Sequence, residues 1–431
     1  MSKKIFSLFV YLILIQGTIM SAVIDAVDIK DTKIPLIFEK SENLPIFNLQ
    51  LIFKNSGSML DGNKSGLTTL TSKIFNEGTK KDGAIFFAGK LENRAISLHA
   101  SNGFETFVIE ISCLMSEYNE AMKLLNILLK DPNLTEDTLS KIKNLQISKL
   151  KQKENDFDDV AKKNLDKIIW KNTILENSGS GDVKSIEGIQ LEDVKKQLSK
   201  ILNLNNLIIV VGGKIELDDF KKDITTTAKL FKKQTETNTP KVVISSKIAT
   251  KRIKKNTEQA YIYFGSDFAM EYNSSEVYKA KVASFILGGS GFGSRLMEEI
   301  RVKNGLAYSA YGYFSINKSY SCFSGYLQTK LENEEKAKDL VVKTIHNFVE
   351  NGATLEELES AKKFLSGSEP LRTETFSQRL GLAFNLFYKG LEQEYPKKEL
   401  QMIDALTLDD LNSFIKSHKE ILNLSFSIVT K

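Results

Sequence analysis

The chain repeats itself. The segment IQLEDV (Ile189 to Val194) returns as LTLDDL (Leu406 to Leu411), so that Leu191 is matched by Leu408 (408 − 191 = 217). Each copy leads through a helical pattern into an apolar run, NLIIVV (Asn206 to Val211) in the first half and LSFSIV (Leu424 to Val429) in the second. Thr135 and Thr354 open matching helices (354 − 135 = 219), the second with a capping box to Glu357. FNLQLIF (Phe47 to Phe53) alternates like a half-buried strand and is answered by AYIYF (Ala260 to Phe264). The amphipathic helix from Asn119 to Leu129 is answered by Asn333 to Val349. One order of elements at one shift points to two homologous domains, each an antiparallel-rich sheet packed with helices, in the α+β class.

The polar, aperiodic stretch KKQTETNTPK (Lys232 to Lys241) is the natural connection. The expected division is a signal segment at 1–22, a first domain at 28–232, a linker at 233–244 and a second domain at 245–431. Lys3 and Lys4 precede an apolar run from Ile5 to Ile15, with Ser21 and Ala22 beyond it, which is the layout of a signal peptide and is short for a membrane span. Met20 is a poor residue beside a cleavage site, which leaves an uncleaved anchor as the alternative. No other segment reaches spanning length, so the expectation is an exported chain, periplasmic if the source is Gram-negative. The net charge of +5 over 431 residues does not suggest nucleic-acid binding. Lys251 to Lys255 (KRIKK) reads as a solvated edge strand guarded by lysines rather than as an anion site. Cys113 and Cys322 fall in different halves and read as two separate buried thiols, with a disulfide as the alternative.

The richest stretch is LGGSGFGSRLMEEIRVKNGLAYSAYGYF (Leu287 to Phe314). It reads as a glycine-rich loop between two helices, followed by a strand. Gly288 to Gly293 has the spacing of a phosphate-cradling loop, but Ser294 and Arg295 stand where such a loop needs Lys and Ser/Thr, and the loop follows a helix. Nucleotide binding is therefore set aside. The segment RVKNGLAY, with Arg301 and Tyr308, and the GGSGFGSRLMEEI before it resemble the C-terminal half of the pitrilysin/insulinase family of zinc peptidases, which includes mitochondrial processing peptidase. The duplication and the block from Leu191 to Gly213 fit the same family. The resemblance covers about residue 28 to the end.

The resemblance implies a clam-like arrangement of the two domains around a cavity. It also gives meaning to SGLTTLTSKIFNEGT (Ser65 to Thr79), an amphipathic helix with Leu67, Leu70 and Ile74 on one stripe and Gly78 as its stop. In active members this helix carries H-x-x-E-H, and here those positions fall on Thr69, Ser72 and Lys73. Zinc takes imidazole, thiolate or carboxylate ligands, and none is present. The family's remaining glutamate ligand would lie in Leu139 to Gln152, which holds four lysines and no carboxylate. The three histidines, His99, His346 and His418, are scattered. The chain is expected to bind no metal and no cofactor of its own.

The resemblance implies that Arg301 and Tyr308 face a zinc site from the opposite domain, the phenol steadying the scissile carbonyl and the guanidinium the substrate backbone. From spacing alone both could be packing residues. Gly288, Gly289 and Gly291 would lie near substrate, although a tight helix-to-helix turn accounts for most of their role. The expected function is that of a non-catalytic, substrate-binding subunit acting on unfolded peptides, with an H-x-x-E-H partner bringing zinc and the general base. The alternative is a peptide-binding or structural assembly protein with no part in catalysis.

Overall fold

The computed structural model describes residues 22–245 and 247–431. The signal segment expected at 1–22 lies outside the described residues except for Ala22. No described helix is long and apolar enough to cross a membrane.

The chain forms two α+β domains, and their sheets repeat one another. In the first half, β1 (Val23–Ile29), β2 (Thr32–Lys40), β3 (Ile46–Lys54), β4 (Ser97–Asn102), β5 (Thr106–Leu114) and β6 (Leu207–Gly213) take the order β1-β2-β6-β3-β5-β4. In the second, β7 (Thr250–Lys254), β8 (Gln259–Asp267), β9 (Ala307–Ile316), β10 (Ser321–Lys330) and β11 (Ser425–Thr430) take the order β7-β11-β8-β10-β9. Without β1 the two orders are the same. In each, one parallel pair, β2 with β6 and β7 with β11, sits in an otherwise antiparallel sheet.

Period-two alternation decides what each sheet face meets. Phe47, Leu49, Leu51 and Phe53 of β3 join Leu207, Ile209 and Val211 of β6 on the face covered by the domain's own helices, among them Tyr118–Lys130 and Leu217–Ala228. In the second half Ala260, Ile262 and Phe264 take the same part beneath Glu334–Asn351. The edge strand β7 carries Lys251, Arg252 and Lys254 in the open, and Arg252 pairs with Glu334 (2.7 Å) and with Glu335.

The opposite faces are covered by exchange. Phe157–Ile169, a helix of the first half, lies on the second sheet, with Leu165, Ile169 and Trp170 packed against Cys322. Phe376–Lys389, a helix of the second half, lies on the first sheet, with Phe376, Leu380 and Ala383 on Ile37, Ile52, Ile208 and Val210. Gly212 permits the second docking, since a Cβ there would come within 2.3 Å of the Phe376 ring. Polar bonds hold the exchange. Arg379 reaches Glu39 at 2.7 Å. Glu105 accepts from the Ser319 N–H at 2.9 Å and from the Tyr388 hydroxyl at 2.8 Å. Asp158 accepts from the Tyr263 hydroxyl at 3.2 Å and also from the Gln328 amide. Cys113 and Cys322 are free and buried, one in each half.

Candidate functional site

The helix Leu67–Phe75 starts where Asp61 folds over its first turn. The Asp61 carboxylate accepts from the Gly66 N–H (2.9 Å), the Thr68 N–H (2.8 Å) and the Thr68 hydroxyl (2.6 Å), satisfying donors that a helix start leaves free. Burial lifts the Asp61 pKa, against the pull of these bonds. Gly66 stands at φ +91°, and a Cβ would strike Ile186 at 2.7 Å. The helix buries Leu67, Leu70 and Ile74 against Leu139 and Ile142, which leaves Thr69 and Ser72 on its other side and Lys73 at the flank, within reach of Gln146.

Each of those three side chains is engaged. The Thr69 hydroxyl donates to the Gly179 carbonyl at 2.7 Å. The Ser72 hydroxyl bonds with the Thr69 carbonyl (2.9 Å) and with Asn102 Oδ1 (3.0 Å). Lys73 Nζ donates to Gln146 Oε1, and the Gln146 amide donates to the Ser180 carbonyl at 2.8 Å. Burial, with a contribution from Lys149, pushes the Lys73 pKa down. The donor set is thus two hydroxyls, an ammonium and a carboxamide, which does not suit zinc. Among the described residues no group of three His, Cys, Asp or Glu side chains is placed to hold a metal ion. The three histidines face separate carboxylates, Glu110, Glu350 and Glu420.

Gln146 is the residue that sequence reasoning located only to within a segment. Its signal was available: Leu139, Ile142, Gln146 and Leu150 form one buried stripe of the helix Glu136–Lys153, and one of the four is polar.

Arg301 and Tyr308 do come together. The Arg301 guanidinium lies 4.5 Å from the Tyr308 ring centre and 4.6 Å from that of Phe292, so it is held between two aromatic faces. Both rings are open to solvent, Tyr308 at 82% and Phe292 at 69% exposure. Two irregularities produce this. Glu298–Lys303 continues the short α-helical turn Arg295–Met297 in the wider π form, where an ordinary α-helix was expected. Ala307 pairs with Thr329 and Ala310 with Leu327, so Tyr308 and Ser309 share one place opposite Gln328. That bulge turns Tyr308 out of the strand's alternation.

The loop glycines divide by task. Gly288 is buried, and a Cβ there would meet the Gly312 backbone at 2.5 Å, so it packs the preceding helix on β9 and offers substrate no surface. Gly289 lies close to the Ser284 carbonyl. Gly291 and Gly293 take positive φ on either side of Phe292 and present its ring. Phe292 is the member of this cluster that motif reasoning passed over.

Between the domains lie two adjoining hollows. One, of about 600 Å³, is lined by Thr69, Asn102, Phe104, Gly179, Trp170 and Tyr320 among others. The other, of about 360 Å³, lies against the second sheet beneath Tyr263, Tyr313 and Tyr326. Lys162, Asp166, Trp170 and Tyr320 belong to both. Neither Arg301 nor Tyr308 lines either hollow. The structure therefore brings Thr69 to the cavity and leaves the Arg301–Tyr308 pair at the start of β9, outside the lining of both hollows.

A duplicated α+β clam whose metal-motif helix carries no zinc ligand at Thr69, Ser72 or Lys73 defines a relative of the zinc peptidases. The chain belongs to the peptidase M16, or insulinase, family. Residues 38–182 match the family model described as Insulinase (Peptidase family M16), and residues 188–365 match the one described as Peptidase M16 inactive domain. The chain is 42% identical to the "Non-peptidase homolog YmxG" of Helicobacter pylori over 94% of its own length and 93% of that protein. It is 24% identical to the "Uncharacterized zinc protease YmxG" of Bacillus subtilis over 73% of its own length and 76% of that protein. In fold it is similar to the peptidase M16 inactive domain from Pseudomonas fluorescens, with a TM-score of 0.87 at 23% identity, covering 94% of this chain and 98% of that one.

Proposed function

We propose that this chain is the non-catalytic, substrate-binding subunit of an exported, periplasmic M16 zinc metallopeptidase. It pairs with a homologous H-x-x-E-H subunit that brings the zinc and the general base, and it contributes Arg301 and Tyr308 in trans. The observation that carries this reading is the Phe292–Arg301–Tyr308 sandwich. A half-buried guanidinium on the helical segment is held against an exposed phenol on the strand bulge, while every position of the metal motif has been refitted with hydrogen bonds internal to the chain. Hydroxyl and guanidinium groups fixed in advance stabilise charge that develops in a tetrahedral intermediate, and they act without being ligands. The substrates are unfolded peptides, since hollows of about 600 and 360 Å³ have no room for a folded protein.

The test is to express the chain with an H-x-x-E-H homologue from the same genome and to assay peptide hydrolysis by each chain alone and by the mixture. The proposal expects turnover only in the mixture or a strong enhancement there. Equal activity of the partner alone would overturn it.

One observation favours the second reading, a passive peptide-binding or assembly protein. The Arg301–Tyr308 pair lies outside both hollows, where an Arg between two exposed aromatic rings also suits a protein contact. Tyr308→Phe in the mixture separates the two, since only a role in catalysis ties turnover to that hydroxyl.

A further inference from the structure

The two sheets differ at one edge. In the first, β2 pairs parallel with β6 on its inner side and antiparallel with β1 on its outer side. In the second, β7 pairs parallel with β11 in the matching place, and among the described residues no strand lies beyond it. The position that β1 fills in one half is open in the other.

The register shows what that edge offers. The Ala249 carbonyl accepts from the Phe426 N–H and the Lys255 N–H donates to the Thr430 carbonyl, each at 2.8 Å. Alternate residues of a parallel strand turn their backbone groups to opposite sides. Thr250, Arg252 and Lys254 therefore hold their N–H and C=O groups outward, where an antiparallel strand would pair with them.

The side chains mark the edge as basic. Leu36 lies opposite Ile209 and Arg252 opposite Ile428, both on the faces covered by the domains' own helices. There β2 places Ile34, Leu36 and Phe38, all buried, whereas β7 places Thr250, Arg252 and Lys254, all exposed. Glu334 and Glu335 neutralise Arg252. Lys247, Lys251, Lys254 and Lys255 have no carboxylate within ion-pair distance among the described residues, and Lys251 and Lys255 reach only the Asn164 amide oxygen and the Glu154 carbonyl. Ile248, exposed, and Ile253, half-buried, leave apolar surface beside them. Lysines along an edge keep it from pairing with a second copy of itself. The same charges favour a strand that carries carboxylates, since opposite charges facing one another across a ladder stabilise it.

We infer that the β7 edge docks an extended, acidic segment of another protein, added antiparallel to β7 with its backbone on Thr250, Arg252 and Lys254 and its carboxylates on the unpaired lysines. β7 and β9 are the two opposite edges of the sheet, so this surface stands apart from the Arg301–Tyr308 pair and does not depend on the peptidase reading.

The full chain is titrated at pH 7.5 with a fluorescein-labelled heptapeptide of alternating valine and glutamate. Two twins accompany it, one with lysine for glutamate and one N-methylated at two adjacent central residues, which blocks both of its edges. The expected result is saturable binding of the glutamate peptide, with both twins weaker by about tenfold or more. The double variant Lys251→Glu, Lys254→Glu should show a comparable loss, and the bound glutamate peptide should slow amide exchange in Thr250–Lys254. Circular dichroism establishes that the variant is folded, and the twin comparison needs no variant. Equal binding of the N-methylated twin overturns strand addition and leaves only a polyanion patch. Equal binding of the lysine twin overturns the charge selection. Absence of binding by the glutamate peptide overturns the site.

Discussion

Lys73 Nζ is hydrogen-bonded to Gln146 Oε1, so a cation fixed to the chain stands on the helix face where active members of the family hold zinc. The ammonium and the carboxamide satisfy one another, and the Gln146 amide continues to the Ser180 carbonyl. The site has been rebuilt as a hydrogen-bonded contact between two helices rather than left as a vacant set of ligands.

Zinc content tests that relationship. The natural chain should carry no stoichiometric zinc after purification and metal analysis. The combined substitution Thr69→His, Ser72→Glu, Lys73→His and Gln146→Glu supplies a ligand set that zinc accepts, and should bring about one zinc per chain. A folded variant that takes up no zinc would show that the two helices do not stand in the register described.

Tyr308→Phe removes one hydroxyl from an exposed ring. Stability should stay within about 0.5 kcal/mol of the natural chain. Turnover by the mixture with an H-x-x-E-H partner should fall by about 10²-fold, with KM changed far less, since the hydroxyl acts on charge that appears in the transition state. Steady-state kinetics on one peptide substrate gives both quantities.

Glu39 is 5% exposed and meets Arg379 across the domain interface. Burial lifts its pKa, outweighing the pull of the guanidinium, which marks a carboxylate dependent on its partner. Arg379→Ala should cost about 3–5 kcal/mol in urea unfolding, because it leaves that charge buried and unpaired. Glu39→Leu combined with Arg379→Met should recover most of the loss.

Asp166 gives a pH signature. Its carboxyl rises from 3.8 to about 6 on folding, chiefly through burial, with Asp159 adding and Lys162 opposing. A carboxyl whose pKa is higher in the folded state favours folding most when protonated, below about pH 3.8. That contribution fades between pH 3.8 and 6 and is absent above, leaving a difference of about 3 kcal/mol. Asp166→Asn should therefore raise the melting temperature at pH 7.5 and leave it nearly unchanged at pH 3.5. Equal effects at both values would contradict the assignment.

Much of the fold was legible because alternation and helical periodicity report which side of an element is apolar. Phe47 to Phe53, Ala260 to Phe264 and the paired runs ending each half emerge as β3, β8, β6 and β11. The capping box of Thr354 and Glu357 forms as its residues imply. Periodicity does not say what covers an apolar face, so the exchange of Phe157–Ile169 and Phe376–Lys389 was invisible, as was the tyrosine wall. The loss of metal ligands at Thr69, Ser72 and Lys73 was readable by position. The choice of Gln146 within its helix needed the third dimension, and so did the exposure of Tyr308, which depends on a bulge one residue long.

The crossed helices bear on how such a clam moves. A lobe that borrows its lid from its neighbour cannot swing wide without stripping Ile37, Ile52, Ile208 and Val210 of their cover. Severing the connecting segment would leave two fragments still clasped to one another. Any parting of the lobes is bounded by the cover that those four side chains keep.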